Sequence, residues 1–488
     1  QGSKRIVGET RRMASNNVAA GRLLADPIAG SGEGALRMAA TALHSEIGWD
    51  AGRAQMPSAP SSATPTLSRP SPRTAPQDQS STDFQRRVVS PVMAHCKKRL
   101  VEDANCCLDK EKAEGVEKHK IRRSVEEWNC SGKCDDTEKG ERGVDIMWVP
   151  KGADCRSPRL LYVHGGAWSY GSPDEDGYSS LASKLAKSSG AVVLTIDYPL
   201  APDSKLLGMV AQTLDALAWL ARNGPPGCPE NSNSTKAMRA TSLLWLPKKG
   251  ASAAPPPIFV AGDSSGGGLT LSTLLALKAR RTLDRDGRNG LNVFGLKPGV
   301  VEWLEKLEPD IGSISVAGSF FYSPWTNLEC DTQSYFANAF ARVKDSSGSE
   351  DYIGDVVFRD EPTANARGFR ETAQQVVGRS DLLDDPIVSP MFAGPELLEG
   401  LPPMLFEVGS AESILGDSVL VAQQAAATGV EVVLDVFEGM WHVFPMYSEG
   451  CGSGKTLWEG ASALRRSGLF VRHVTQYGHA PCWEAAAL

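Results

Sequence analysis

At 488 residues, 41% of them hydrophobic, the chain has enough apolar material for one large domain with insertions or for about two to three smaller ones. A formal net charge of −7 leaves no basic stripe, which excludes nucleic acid as an expected partner. No apolar run approaches the roughly 18–20 residues that a membrane-spanning helix needs.

Residues 1–83 are rich in Ala, Gly, Ser and Pro, and from Pro57 to Pro76 prolines are interspersed with serines and threonines. Such a stretch buries no core and is expected to be a disordered extension or linker. Glu9, Asp26, Glu33 and Glu46 argue against a mitochondrial-type presequence. The chain starts at Gln1 rather than Met, so a preceding targeting segment stays open.

From Phe84 the pattern changes. Ser90-Pro91 reads as an N-cap followed by proline at the first helical position, and Val92, Cys96 and Leu100 recur at helical spacing. The charged stretch Glu111–Glu127 is predicted as a second helix outside any sheet. These segments are expected to form part of a cap.

Strands are predicted over Val144–Val149, Leu160–His164, Val192–Asp197, Ile258–Ala261, Ile314–Tyr322, Met404–Val408 and Val430–Phe437. Helical patterns over Tyr178–Ser188, Leu206–Arg222, Gly268–Arg280 and Leu415–Ala427 separate most of them. Near-continuous apolar strands alternating with helices predict an α/β fold with a mostly parallel sheet covered on both faces. Residues 84–488 are read as this domain, with surface insertions at about 225–257 and 283–310.

Six of the ten cysteines fall between residues 96 and 155, but Cys130 and Cys134 have no histidine at ligand spacing and no matching second pair. No metal or cofactor is therefore expected, and the cysteines are read as free thiols of a reducing, cytoplasmic setting. The sequons at Asn129 and Asn233 decide nothing. Gly452-Ser453-Gly454-Lys455-Thr456 imitates the end of a phosphate-binding loop, but Glu449 stands where its first glycine should be.

The chemistry centres on Gly262-Asp263-Ser264-Ser265-Gly266, a G-x-S-x-G sequence after the strand Ile258–Ala261 and before a helix. A serine on such an elbow is lifted to the end of a sheet strand, and small neighbours are required around its strained backbone. Acyl transfer by Ser264 further needs a base, an acid to orient it and donors for the oxyanion. Gly165 and Gly166, which follow the strand Leu160–Val163, are candidate oxyanion donors together with the amide of Ser265. Among the seven histidines, His442 follows the last strong strand, as the order Ser…acid…His requires. Two acids compete for the third place: Glu412, in the loop after Met404–Val408 and the favoured candidate, and Asp417, at the start of the next helix.

These motifs together resemble the hormone-sensitive lipase family of α/β-hydrolases over about Val144 to Val443. His164-Gly165-Gly166-Ala167-Trp168 is similar to the family's H-G-G-G-[FYW] loop, with alanine for the third glycine. Asp197-Tyr198-Pro199-Leu200-Ala201-Pro202-Asp203 resembles D-Y-R-L-A-P-E, Gly262–Gly267 resembles G-D-S-A-G-G, and Asp385–Pro390 matches D-P-x-x-S-P. The resemblance implies an α/β-hydrolase fold with an eight-stranded-type sheet, helices on both faces and a helical cap from about 84–140 and 330–385. It implies a nucleophile at Ser264 and a base at His442, and the similarity of Glu412–Asp417 to an E-x-L-x-x-D variant favours Glu412 as the acid. The expected activity is hydrolysis of small or medium acyl esters. Amide hydrolysis or acyl transfer on the same triad, and ligand binding without catalysis, are the alternatives; the oligomeric state stays open.

Overall fold

The computed structural model describes residues 91–122, 144–228, 255–344, 348, 350–358 and 362–481. The expected N-terminal extension, most of the insertion at 225–257, and Asn129, Cys130, Cys134 and Asn233 lie outside them. Eight strands form one sheet: β1 (Val116–Ile121), β2 (Asp145–Pro150), β3 (Arg159–Val163), β4 (Val192–Thr195), β5 (Ile258–Asp263), β6 (Gly318–Tyr322), β7 (Met404–Gly409) and β8 (Val432–Phe437). Their order is β1-β2-β4-β3-β5-β6-β7-β8. β2 runs antiparallel to both neighbours, and every pairing from β4 to β8 is parallel.

The central strands β3 to β7 are buried at every position and mostly apolar, because each face needs its own cover. Leu161 and Val163 of β3, with Ile258 and Val260 of β5, enter one core, whereas Leu160, Tyr162, Phe259 and Ala261 enter the other. Helices α1 (Pro91–Glu102), α2 (Asp176–Ser189), α3 (Leu206–Arg222), α4 (Ser264–Asp286), α5 (Pro362–Val377), α6 (Leu415–Ala427) and α7 (Trp458–Tyr477) supply the cover. Leu181 and Leu185 of α2 and Phe470 and Val471 of α7 fill the second core. Leu217 of α3, Leu274 of α4 and Val421 of α6 fill the first.

Three expectations change. The charged stretch beginning at Glu111 contains strand β1, not a helix: its residues pair with β2 from Val116↔Pro150 to Ile121↔Asp145. It lies at the edge of the sheet with none of its residues fully buried, so charged residues such as Lys118 and Lys120 stand where a central strand would need apolar ones. Part of the segment read as a surface insertion at 283–310 is packed, because Leu291, Phe294, Val300 and Leu304 join the core. The cysteines are not all free either. Cys155 and Cys228 form a disulfide across 73 residues of sequence, because α3 carries the chain back to the end of the sheet from which β3 starts.

Candidate active site

Strand β5 ends at Asp263 and α4 begins at Ser264 without an intervening loop. Ser264 takes φ 51°, a left-handed conformation that costs a non-glycine residue of order 1–3 kcal/mol. The turn is tight enough that a Cβ on Gly266 would collide with the carbonyls of Val163 and His164. This is why the helix starts four residues earlier than the apolar spacing from Gly268 predicts.

Ser264 Oγ lies 2.9 Å from His442 Nε2, and His442 Nδ1 lies 3.1 Å from Glu412 Oε2. The serine comes from the end of β5, the glutamate from the turn after β7, and the histidine from the turn after β8. Running parallel in one sheet, with β6 between β5 and β7, these strands deliver residues far apart in sequence to one edge. All three are buried. Glu412 Oε1 accepts a hydrogen bond from Ser323 Oγ at 3.1 Å and another from the Gly409 N–H. Burial pushes the Glu412 carboxyl up, and these two donors oppose it. Burial lowers the proton affinity of His442, while the negative charges of Asp355 and Asp263 act in the opposite direction.

Asp417 is placed differently. Its Oδ2 accepts the N–H of Asn327 at 2.9 Å, that of Thr326 at 3.2 Å and the Tyr335 hydroxyl at 3.0 Å. Burial pushes its carboxyl up to about 8, yet its partners brace the loop after β6, and His442 is not among them.

The oxyanion donors need one correction. The Gly165 N–H donates to Asp263 Oδ1 at 3.1 Å, so it is already engaged. Asp263 gathers this loop further, accepting Tyr162 OH at 2.9 Å and Tyr178 OH at 3.1 Å. Among the described residues no acceptor takes the N–H of Gly166 or Ala167, and both residues line the cavity above Ser264. Gly166 has φ 108°, which a residue with a side chain rarely adopts, whereas Ala167 tolerates its φ of 50° in place of the third glycine. The Ser265 N–H belongs to the first turn of α4, where amides have no intrahelical acceptor.

The remaining motifs are braces. Tyr198 stacks on His164 at a ring distance of 4.4 Å and donates to the His164 carbonyl at 2.8 Å, while the Ala201 N–H bonds the Trp168 carbonyl at 2.8 Å. Burial drops His164 to about 4, so it stays neutral and serves the loop rather than the chemistry. Asp385 accepts the N–H of Lys297 at 2.6 Å and of Ile387 at 2.9 Å, and Ser389 Oγ takes the Leu328 N–H at 2.6 Å.

A cavity of about 720 Å³ opens on Ser264 and His442. One wall is aromatic: Trp325, Phe358 and Phe369 interlock, with Phe358 4.8 Å from the His442 ring. Ala104, Asn105 and Leu108 also line the cavity, as do Asn365, Gly368 and Thr372 of α5. Both segments named as cap in the sequence thus contribute to its lining. Ser323 and Asp355 were not anticipated, because each lies outside every motif and approaches the site only through its hydrogen bonds.

A family model described as an alpha/beta hydrolase fold matches residues 160–446, more than half of the chain. The chain belongs to this family of α/β-hydrolases. It is similar to an acetyl-hydrolase of Streptomyces hygroscopicus, 25% identical over 332 residues that span 68% of this chain and 80% of the relative. It is also similar to the carboxylesterase NlhH of Mycobacterium tuberculosis, 24% identical across 66% of this chain and 78% of that one. Among solved structures, the esterase EstE5 soaked with p-nitrophenyl butyrate superposes with a TM-score of 0.52 at 21% identity, covering 79% of this chain and 99% of that one. An esterase from the bacterial hormone-sensitive lipase family gives 0.51 at 22% identity, with the same coverage.

Proposed function

We propose that this chain is a serine carboxylic-ester hydrolase that works through an acyl-enzyme on Ser264. The observation that carries the reading is the unbroken chain from Ser264 Oγ through both nitrogens of His442 to Glu412, opening on a cavity with unengaged amides. The names of the relatives, acetyl-hydrolase and carboxylesterase, support the same reaction class.

Ser264 Oγ attacks the ester carbonyl carbon as its proton passes to His442 Nε2. Glu412 stabilises the imidazolium through Nδ1. The carbonyl oxygen becomes an oxyanion within reach of the amides of Gly166, Ala167 and Ser265, each such donor being worth about 3–4 kcal/mol in the transition state. The tetrahedral intermediate collapses, the C–O bond to the alcohol breaks, and His442 returns its proton to the departing alkoxide. Water, deprotonated by His442, then attacks the acyl carbon and releases the carboxylic acid and Ser264.

The test is hydrolysis of p-nitrophenyl esters of increasing acyl length by wild type and Ser264→Ala. Wild type should turn over acetyl to medium-chain esters, and Ser264→Ala should lose about 10⁴–10⁶ in kcat. Full activity in Ser264→Ala would overturn the mechanism.

A further inference from the structure

Asp355 lies between the hairpin Ala341–Lys344/Glu350–Ile353 and α5, and its side chain is fully buried. Its partners are main-chain amides. Oδ2 accepts the Ser413 N–H at 2.9 Å; Oδ1 accepts the Val357 N–H at 3.1 Å and the His442 N–H, more distantly, at 3.5 Å. One carboxylate therefore touches the residue that follows Glu412, the residue that carries the imidazole, and a residue of the cavity wall. Asn338, from the same part of the chain, adds to the hold: its Nδ2 donates to the carbonyls of Ser410 and Glu412 at 3.1 and 3.0 Å.

Removing a carboxylate from water is costly unless hydrogen bonds replace the lost hydration. Burial accordingly pushes Asp355 up to about 6, against the amides and the nearby imidazole, which favour its charged form. An apolar side chain of similar size would leave these amides without an acceptor, whereas an uncharged amide could accept from them without that penalty. A charge kept here beside the base points to a task beyond packing.

We propose that Asp355 is a positioning residue for the Glu412–His442 pair. It ties the acid turn to the histidine turn through their main-chain amides, links both to the cavity wall at Val357 and Phe358, and places a second negative charge where the imidazolium forms. The proposal rests on the hydrolase reading above. The titratable groups around His442 are Glu412 from the turn after β7, Asp263 from the end of β5 and Asp355; Asp263 is itself held by Tyr162 of β3 and Tyr178 of α2.

The experiment has two readouts on wild type, Asp355→Asn and Asp355→Glu. The first is the pH dependence of kcat and KM for p-nitrophenyl acetate. The second is the pKa of His442, followed by NMR of ring-labelled histidine, which needs no turnover. Asp355→Asn should lower kcat about 10–100-fold with KM within about threefold, and move the His442 pKa and the acid limb down by about one pH unit. Asp355→Glu keeps the charge but shifts the carboxylate, so it should restore the acid limb while kcat stays below wild type. If Asp355→Asn does not fold, Asp355→Glu still decides: wild-type kcat in that variant overturns positioning. An unmoved His442 pKa in a folded Asp355→Asn also overturns the proposal, reducing Asp355 to a structural brace. Absence of any hydrolysis by wild type would refute the hydrolase reading instead, and the NMR titration would still read the influence of Asp355 on His442.

Discussion

Ser264 holds a positive φ at the first residue of a helix, and small neighbours hold the turn closed around it. Such strain persists only where its surroundings over-determine it. Beside it, two buried acids have separate tasks. Glu412→Gln should cut kcat about 10³–10⁴-fold with an almost unchanged melting temperature, because the His442 Nδ1–H loses its carboxylate but the fold does not. Asp417→Asn should do the reverse, lowering the melting temperature by several degrees while kcat falls less than about tenfold, since it braces Thr326, Asn327 and Tyr335. Steady-state kinetics with calorimetry on both variants checks the pair. The pH profile follows from His442. Its neutral form is the base, and burial lowers its proton affinity. Activity should thus rise with pH through a midpoint below the ordinary histidine value of about 6.5 and be fully present at neutral pH. A midpoint above that value would contradict the assignment.

At the scale of elements, the parallel strands were legible because burial on both faces leaves uninterrupted apolar runs, as in Leu160–Val163 and Ile258–Ala261. The edge strand β1 was not, since an edge needs no such run, and its Glu, Lys and His residues read as a solvated helix. The nucleophile, base and favoured acid could be read from motif and order. The engaged Gly165 could not, because nothing in H-G-G-A-W says that Asp263 takes its amide. Ser323 and Asp355 were invisible for a related reason: their contacts join turns up to 120 residues apart, as between Ser323 and Val443. The disulfide is a further long-range contact. Cys155 precedes β3, at the end of the sheet opposite Ser264. Reduction, or Cys155→Ser, should therefore lower stability, by at most about 4.5 kcal/mol for a closed loop of this size, and leave kcat within about twofold. Thermal denaturation and esterase assays with and without reductant test this, and a large loss of kcat would show that the bridge reaches the site.

At the scale of the molecule, the sheet supplies the reacting groups and segments distant in sequence supply the cavity. The lining combines Ala104, Asn105 and Leu108 with Phe358 and residues of α5, all outside the strands that carry Ser264, Glu412 and His442. Sequence placed both segments near the site but could not draw the pocket, because its shape depends on how Trp325, Phe358 and Phe369 interlock. Phe369→Ala should open this wall and raise the octanoate-to-butyrate ratio of kcat/KM about tenfold or more, as measured on p-nitrophenyl esters. An unchanged ratio would place the acyl chain elsewhere in the cavity. The central claim, that Ser264 is the nucleophile of an acyl-enzyme, is tested most directly by peptide mass spectrometry after reaction with a fluorophosphonate. The account predicts one adduct, on Ser264, that is lost in Ser264→Ala and strongly slowed in His442→Ala. An unlabelled Ser264 in active protein, or an adduct on another serine that accompanies loss of activity, would contradict it.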